Sequence, residues 1–268
     1  MRPTRHRPAT VRQPRPRVTV SQVIGELLLT VGVLLLLFAF YETYWTNIHS
    51  RHLQDDAQQK LEQQWVNPRA LRSPALGDAF ARMYIPVFGP DYQFAVVEGV
   101  GETELLAGPG RYPDTQMPGE PGNFAVAGHR VGKGAPFNDL GRLKACDAIV
   151  VETQKQWITY RVLPMADDPV QRSAEVAPCL GGTQAGRVVD GDYAHVLGRH
   201  ITQPDDVTVI NPMPESPAME QAPGLEGVIT LTTCHPQFSN AERMIIHAVQ
   251  TEAVDKAAGK PAAMTEVS

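Results

Sequence analysis

Cysteine is scarce in this chain, with three among 268 residues, at positions 146, 179 and 234. Cys234 has one adjacent histidine, His235, whereas a zinc site needs three or four ligands at recognisable spacing, so no metal is expected there. Aromatic residues make up only 7%, against 22 Gly and 23 Pro, a composition of many turns and long loops. Acidic residues are absent from the first twenty positions, which hold six Arg. The remainder carries 18 basic against 29 acidic side chains, so the net charge of -5 is unevenly spread. A basic end suits nucleic acid, but the next segment gives it another meaning. From Val23 to Tyr41 the only charge is Glu26, and from Leu27 to Tyr41 there is none. About 20 apolar residues cross a bilayer as a helix. No A-x-A-like exit follows, which argues for a retained anchor over a cleaved signal peptide. Basic residues are also absent between Glu42 and Ser50, which places the N-terminus in the cytoplasm and everything after Tyr41 outside. The arginines then serve as a topology signal and a contact for anionic lipid. No nucleic-acid partner is expected.

The divisions that follow are a basic cytoplasmic tail (1–22), a transmembrane helix (23–41), an extracellular, partly helical linker (42–79), a globular domain (80–252) and a disordered tail without periodicity (253–268). In the linker, Leu53, Ala57, Leu61 and Trp65 recur at steps of four, a drifting stripe that reads as a helical spacer. Asn67-Pro68 ends it.

After residue 80 the pattern is that of strands. Met83–Phe88, with an interrupting Pro86, Phe94–Val100, Asn123–His129, Val207–Ile210, Val228–Cys234 and Arg243–Val249 are apolar runs bounded by turn residues. Ala148–Thr153 and Trp157–Val162 flank Gln154-Lys155-Gln156 as a hairpin, and Phe137–Leu143 reads as a short helical turn. Residues 166–206, rich in Gly, Asp and Pro, read as a long functional or mobile loop. Many short strands separated by turns predict an all-β fold, a closed or nearly closed barrel.

Three chemically capable residues stand at ends of these strands. Cys234 ends Val228–Cys234, next to Pro236; His129 ends Asn123–Gly128; Arg243 opens the last strand, nine residues after the cysteine across a turn. Such a turn makes the last two strands antiparallel neighbours and brings Arg243 near Cys234. A thiolate attacks a carbonyl better than a thiol does, and an imidazolium nearby favours the thiolate. The histidine then donates its proton to a leaving amine, and a guanidinium stabilises an oxyanion or a peptide backbone. Each residue has an ordinary alternative: an inert buried thiol, a structural histidine, or a charge protecting a strand edge. His195, His200 and His247 have no companions that suggest a role.

Thr230-Leu231-Thr232-Thr233-Cys234 is similar to the TLxTC strand of sortases. Asn123–Arg130 and Gly134-Ala135-Pro136-Phe137 resemble their histidine strand and its continuation, and Arg243 falls where the sortase arginine would. Cys234–Phe238 and Gly108–Pro113 look most like class E sortases of high-GC Gram-positive bacteria. The resemblance implies a sortase-type barrel of about eight strands with short helices. It also implies a membrane-anchored cysteine transpeptidase with Cys234 as nucleophile, His129 as general acid and base, and Arg243 as stabiliser. Sortases cleave an LPxTG-type sorting signal between Thr and Gly and pass the acyl group to an amine of a cell-wall precursor or to a pilin lysine. Class E members tend to accept LAxTG, and Tyr112 falls where they carry a tyrosine implicated in that preference. Thr232 and Thr233 are candidate donors to the oxyanion. No cofactor is implied, and no acidic cluster marks a calcium site. The departure from the family is the stretch of about forty residues between Val162 and Gln203, which contains Cys179, while Cys146 stands where relatives have a turn glycine. A Cys146–Cys179 disulfide would pin the insertion and leave Cys234 free. A hydrolytic cysteine protease and a non-catalytic anchored module are the alternatives.

Overall fold

Residues 19–66, 73–217 and 224–266 are described in a computed structural model, and the expected cytoplasmic tail lies outside them except for its last few positions. The chain divides between Tyr44 and Trp45 into two units. In the first, helix α1 (Val20–Phe40) starts at Thr19, whose hydroxyl accepts from the Gln22 amide while the Gln22 side chain accepts from the Thr19 amide. That reciprocal pair satisfies two backbone donors which the helix itself cannot. None of its residues is buried, and its mean hydropathy reaches 2.6, long and apolar enough to cross a membrane.

The second unit begins with α2 (Thr46–Val66). Its stripe is more than a spacer: Ala57 and Leu61 are buried against Ala79, Ala95 and Val97 of the barrel wall. Glu62 pairs with Arg82 at 2.8 Å, and the Lys256 ammonium lies 3.7 Å from the centre of the Trp65 ring.

In chain order there follow β1 (Ala79–Tyr84), β2 (Gln93–Glu98), α3 (Glu102–Ala107), β3 (Gly110–Arg111), β4 (Gly122–Ala127), β5 (Ala148–Glu152), β6 (Gln156–Val162), α4 (Pro169–Val176), α5 (Gly182–Val189), β7 (Arg199–Thr202), β8 (Gly227–His235) and β9 (Glu242–Asp255). Eight strands close in the order β6-β5-β1-β2-β3-β4-β8-β9, with β9 returning to β6, and β7 pairs as an extra strand on β9. The barrel is mixed, because β2–β3 and β4–β8 are parallel. Its interior is filled by Met83, Ile85, Val96, Phe124, Ile149, Tyr160, Leu231 and Ile246, among others, all 0–1% exposed.

Four further sequence expectations change. The run Met83–Phe88 ends as a strand at Tyr84, because Pro86 opens a 3-10 turn over Pro86–Phe88. Val207–Ile210 is a 3-10 turn, held by the Asp206 carboxylate, which accepts from the Thr208 amide and hydroxyl. Residues 166–206 are ordered: Asp168 caps α4 with Pro169 at its first turn, and α4 and α5 build a second core with Leu163, Tyr193, Val228 and Val249. Residues 253–266 are ordered as well. A bulge opposite Thr159/Tyr160 lets β9 keep pairing with β6 as far as Asp255. Beyond it, Ala263 is 2% exposed and Glu266 pairs with Arg161 at 2.7 Å.

Cys146 and Cys179 form a disulfide with Cα atoms 5.6 Å apart, joining the turn before β5 to the chain just past α4. Cys146 has φ +69°, the left-handed region that glycine adopts without cost.

Candidate active site

Two strand pairings decide where the reactive side chains meet. β4 and β8 run parallel with Ala127 opposite Thr232, so His129 and Cys234, each two residues further, reach the same rim side by side. β8 and β9 run antiparallel with Cys234 directly opposite Arg243. The Gly128 amide donates to the Thr232 carbonyl at 3.1 Å, which extends the parallel pairing up to the histidine. A side chain on Gly128 would put its Cβ 2.5 Å from the Phe137 ring, so glycine is what allows that ring to pack against the backbone just before His129.

His129, Cys234 and Arg243 face one cleft of about 530 Å³, together with Tyr112, Glu102 and Lys133. Cys234 is partly exposed, and its thiol donates to Asn240 Oδ1 at 2.9 Å. Cys234 is thus left unpaired by the other two cysteines. His129 is half-buried and its Nε2 has no hydrogen-bond partner among the described residues. Burial, helped by the nearby Lys133 charge and opposed by Glu102, holds its pKa below the ordinary histidine value. The Arg243 guanidinium donates to the carbonyls of Asn240 (3.2 Å) and Glu242 (3.0 Å), so it braces the turn that carries the thiol's partner.

Tyr112 and Thr232 join their hydroxyls at 2.9 Å on the cleft wall. Thr233 is different: it is 3% exposed, and its hydroxyl donates to the Gly128 carbonyl at 2.7 Å. Its proton is used to tie the cysteine strand to the histidine strand, so the hydroxyl is not a free donor to an oxyanion. Arg130 lines the cleft too, and sequence reasoning passed over it. Its guanidinium donates to the Cys234 carbonyl (3.1 Å) and contacts His235 Nδ1 (2.7 Å). Its position directly after His129 was the available signal, since a parallel partner strand puts that residue beside the one following Cys234.

An unpaired thiol, an imidazole with an unengaged nitrogen and a guanidinium around one open cleft are the parts of an acyl-transfer site. The family model described as the sortase domain matches residues 83–251. The chain is 32% identical to sortase SrtE1 of Streptomyces coelicolor over 96% of its own length, and spans 65% of that relative's length. Among solved structures it resembles the SrtF sortase from Corynebacterium diphtheriae at 60% identity and TM-score 0.72, covering 75% of this chain and 98% of that one. It also resembles Streptomyces coelicolor sortase E1 solved with a tripeptide in the active site. There the identity is 30% and the TM-score 0.52, with 72% of this chain and 99% of that one covered.

Proposed function

The chain belongs to the sortase family, and on that premise we propose that it is a membrane-anchored cysteine transpeptidase. It cleaves an LPxTG- or LAxTG-type sorting signal between Thr and Gly and transfers the upstream protein to an amine, of a peptidoglycan precursor or of a pilin lysine. The observation that carries this reading is the register that sets His129, Cys234 and Arg243 along one barrel rim.

In the first half-reaction the Cys234 thiolate attacks the threonine carbonyl carbon. The developing oxyanion is met by the Arg243 guanidinium, released from one of its turn carbonyls. As the C–N bond breaks, the His129 imidazolium gives its proton to the departing glycine amine, leaving a thioester on Cys234 and a neutral imidazole. In the second half-reaction that imidazole takes a proton from the incoming amine as it attacks the thioester. A new amide forms and the thiolate–imidazolium pair returns. Tyr112, bonded to Thr232, forms the wall against which the Pro or Ala two residues before the scissile threonine is read. No step requires a cofactor.

On this reading the reaction takes place on the outer face of the cell membrane, with α1 as the membrane span, the arginine-rich start in the cytoplasm and the barrel outside; the apolar helix and the distribution of basic residues support it. The Cys146–Cys179 disulfide supports that side of the membrane, because disulfides persist in oxidising compartments. The test uses the full chain in detergent with a sorting-signal peptide and an amine acceptor. The expected results are a new amide and an intact-mass adduct of the acyl group on Cys234, both absent in Cys234→Ala. Peptide cleavage that no amine redirects would replace this reading with simple hydrolysis, and no adduct on Cys234 would end it.

A further inference from the structure

Outside the cleft, three ligand atoms meet on the far side of the barrel wall. They are His200 Nδ1 on β7, Glu215 Oε1 in the loop leading to β8, and His247 Nε2 in the middle of β9, all within 4.8 Å of one another. Strand alternation explains the place. Met244, Ile246 and Ala248 fill the barrel, so His247 points to the outer face beneath the inserted segment, where it is 0% exposed. None of the three atoms has a hydrogen-bond partner among the described residues, although all are buried. The Glu215 oxygen lies 3.2 Å from His200 Nδ1 and 3.5 Å from His247 Nε2, ion-pair distances without hydrogen-bond geometry.

The hydrogen-bond chain behind His247 determines which nitrogen carries its proton. Asn123 Nδ2 faces two carbonyls, of Val209 (3.1 Å) and Asn211 (3.0 Å), so that atom is the donor and Oδ1 is the acceptor. Asn123 Oδ1 therefore takes the Thr230 hydroxyl proton at 2.8 Å. With that proton spent, Thr230 Oγ1 accepts from His247 Nδ1 at 2.8 Å. The remaining nitrogen, Nε2, then aims a lone pair at a carboxylate oxygen. In the neutral ring two electron-rich atoms thus face each other in a buried site, an arrangement that a cation between them makes favourable.

We propose that His200, Glu215 and His247 form a zinc site that fastens the inserted segment and the loop before the cysteine strand onto the outer barrel wall. Ligands about 2.0–2.1 Å from a tetrahedral zinc stand about 3.3 Å apart; the two separations from Glu215, 3.2 and 3.5 Å, match, and the two histidine nitrogens lie within 4.8 Å of each other. The Nδ1–H to Thr230 to Asn123 relay is the outer-shell support that a metal-bound histidine requires. Glu215 has φ +61°, a backbone state unusual for a side chain of its kind, and it is held there with its carboxylate between the two imidazoles. Two imidazoles and one carboxylate suit zinc over calcium or magnesium. The fourth position is left to water.

The experiment uses the full chain in detergent, in a Cys234→Ala background so that the active-site thiol cannot ligate metal. It is stripped with chelator, dialysed against zinc chloride and desalted. One zinc per chain is expected. Cobalt in its place should give the visible bands of a four-coordinate ion without thiolate charge transfer. Zinc at a hundredfold its dissociation constant should raise the melting temperature by about 5 °C or more. Glu215→Gln and His200→Ala should each weaken binding at least tenfold. His200 lies on the extra strand β7 and is partly exposed, so its removal leaves the barrel core intact. Retention below about 0.2 zinc per chain, or retention unchanged in both variants, overturns the proposal.

Discussion

Replacing both disulfide cysteines gives an energetic test whose size follows from the fold. The bridge closes a segment of 33 residues. On the chain-entropy view, closing a loop of that length costs the unfolded chain about 12–13 cal/mol/K, or about 3.7 kcal/mol at 25 °C. Cys146→Ala with Cys179→Ala should therefore lower the unfolding free energy by up to about 3.7 kcal/mol, which for a domain of this size is a drop of about 7–15 °C in melting temperature. A second pair separates the cross-link from the backbone. Cys146 sits at φ +69°, where an alanine is strained by about 1 kcal/mol or more and a glycine is not. Cys146→Gly with Cys179→Ala should lose about 1 kcal/mol less than the alanine pair. The assay is thermal and urea unfolding of the full chain in detergent, with and without reductant. Reductant should bring the parent down to the level of the double variants and leave those unchanged. A loss below about 1 kcal/mol in both double variants, or a reductant effect on them, would show that the insertion is held by its own packing and refute the entropy argument.

Two further outcomes are expected. Arg172 is 0% exposed and its guanidinium donates to the carbonyls of Ala166, Val188, Tyr193 and Val196, so Arg172→Met should leave several buried acceptors unpaired and cost roughly 3–5 kcal/mol; an effect under 1 kcal/mol in urea unfolding would contradict that role for the side chain. The His129 pKa lies below its ordinary 6.5 in the folded chain, so the unfolded chain binds the proton more readily and His129's contribution to stability is present above about pH 6.5 and lost as pH falls through the lower folded value. Lys133→Met removes a repelling charge, so the His129 titration followed by NMR should move to higher pH; a move to lower pH would mean that Lys133 acts through something other than its charge.

The strands of the barrel were legible because each carries its own local signature. β8 opens after glycine and is stopped by proline, and β5 and β6 flank a short polar turn, so period and punctuation sufficed. The strand ends bearing His129, Cys234 and Arg243 could be read for the same reason, and so could the antiparallel neighbourhood of the last two. The insertion was misread because its helices are short and their apolar faces meaningful only against Val228 and Val249, which lie far along the chain. The Asp168-Pro169 start was the one local sign of order there. The last residues look polar and aperiodic, yet β9 continues into them because β6 offers a free edge and a bulge corrects the register.

The sequence by itself determined the apolar N-terminal helix, the all-β character and the choice of candidate reactive residues, because hydropathy, strand punctuation and side-chain chemistry are properties of neighbouring residues. Only the tertiary structure decided that β4 lies parallel beside β8, which turns a histidine 105 positions away into the cysteine's neighbour. It likewise decided that the Thr233 hydroxyl is spent on Gly128, that Arg130 reaches the cysteine's carbonyl, and that His200, Glu215 and His247 converge. Those facts rest on which strand pairs with which and in what register. That choice is made by the free energy of the closed barrel as a whole, and no short stretch of the chain carries it.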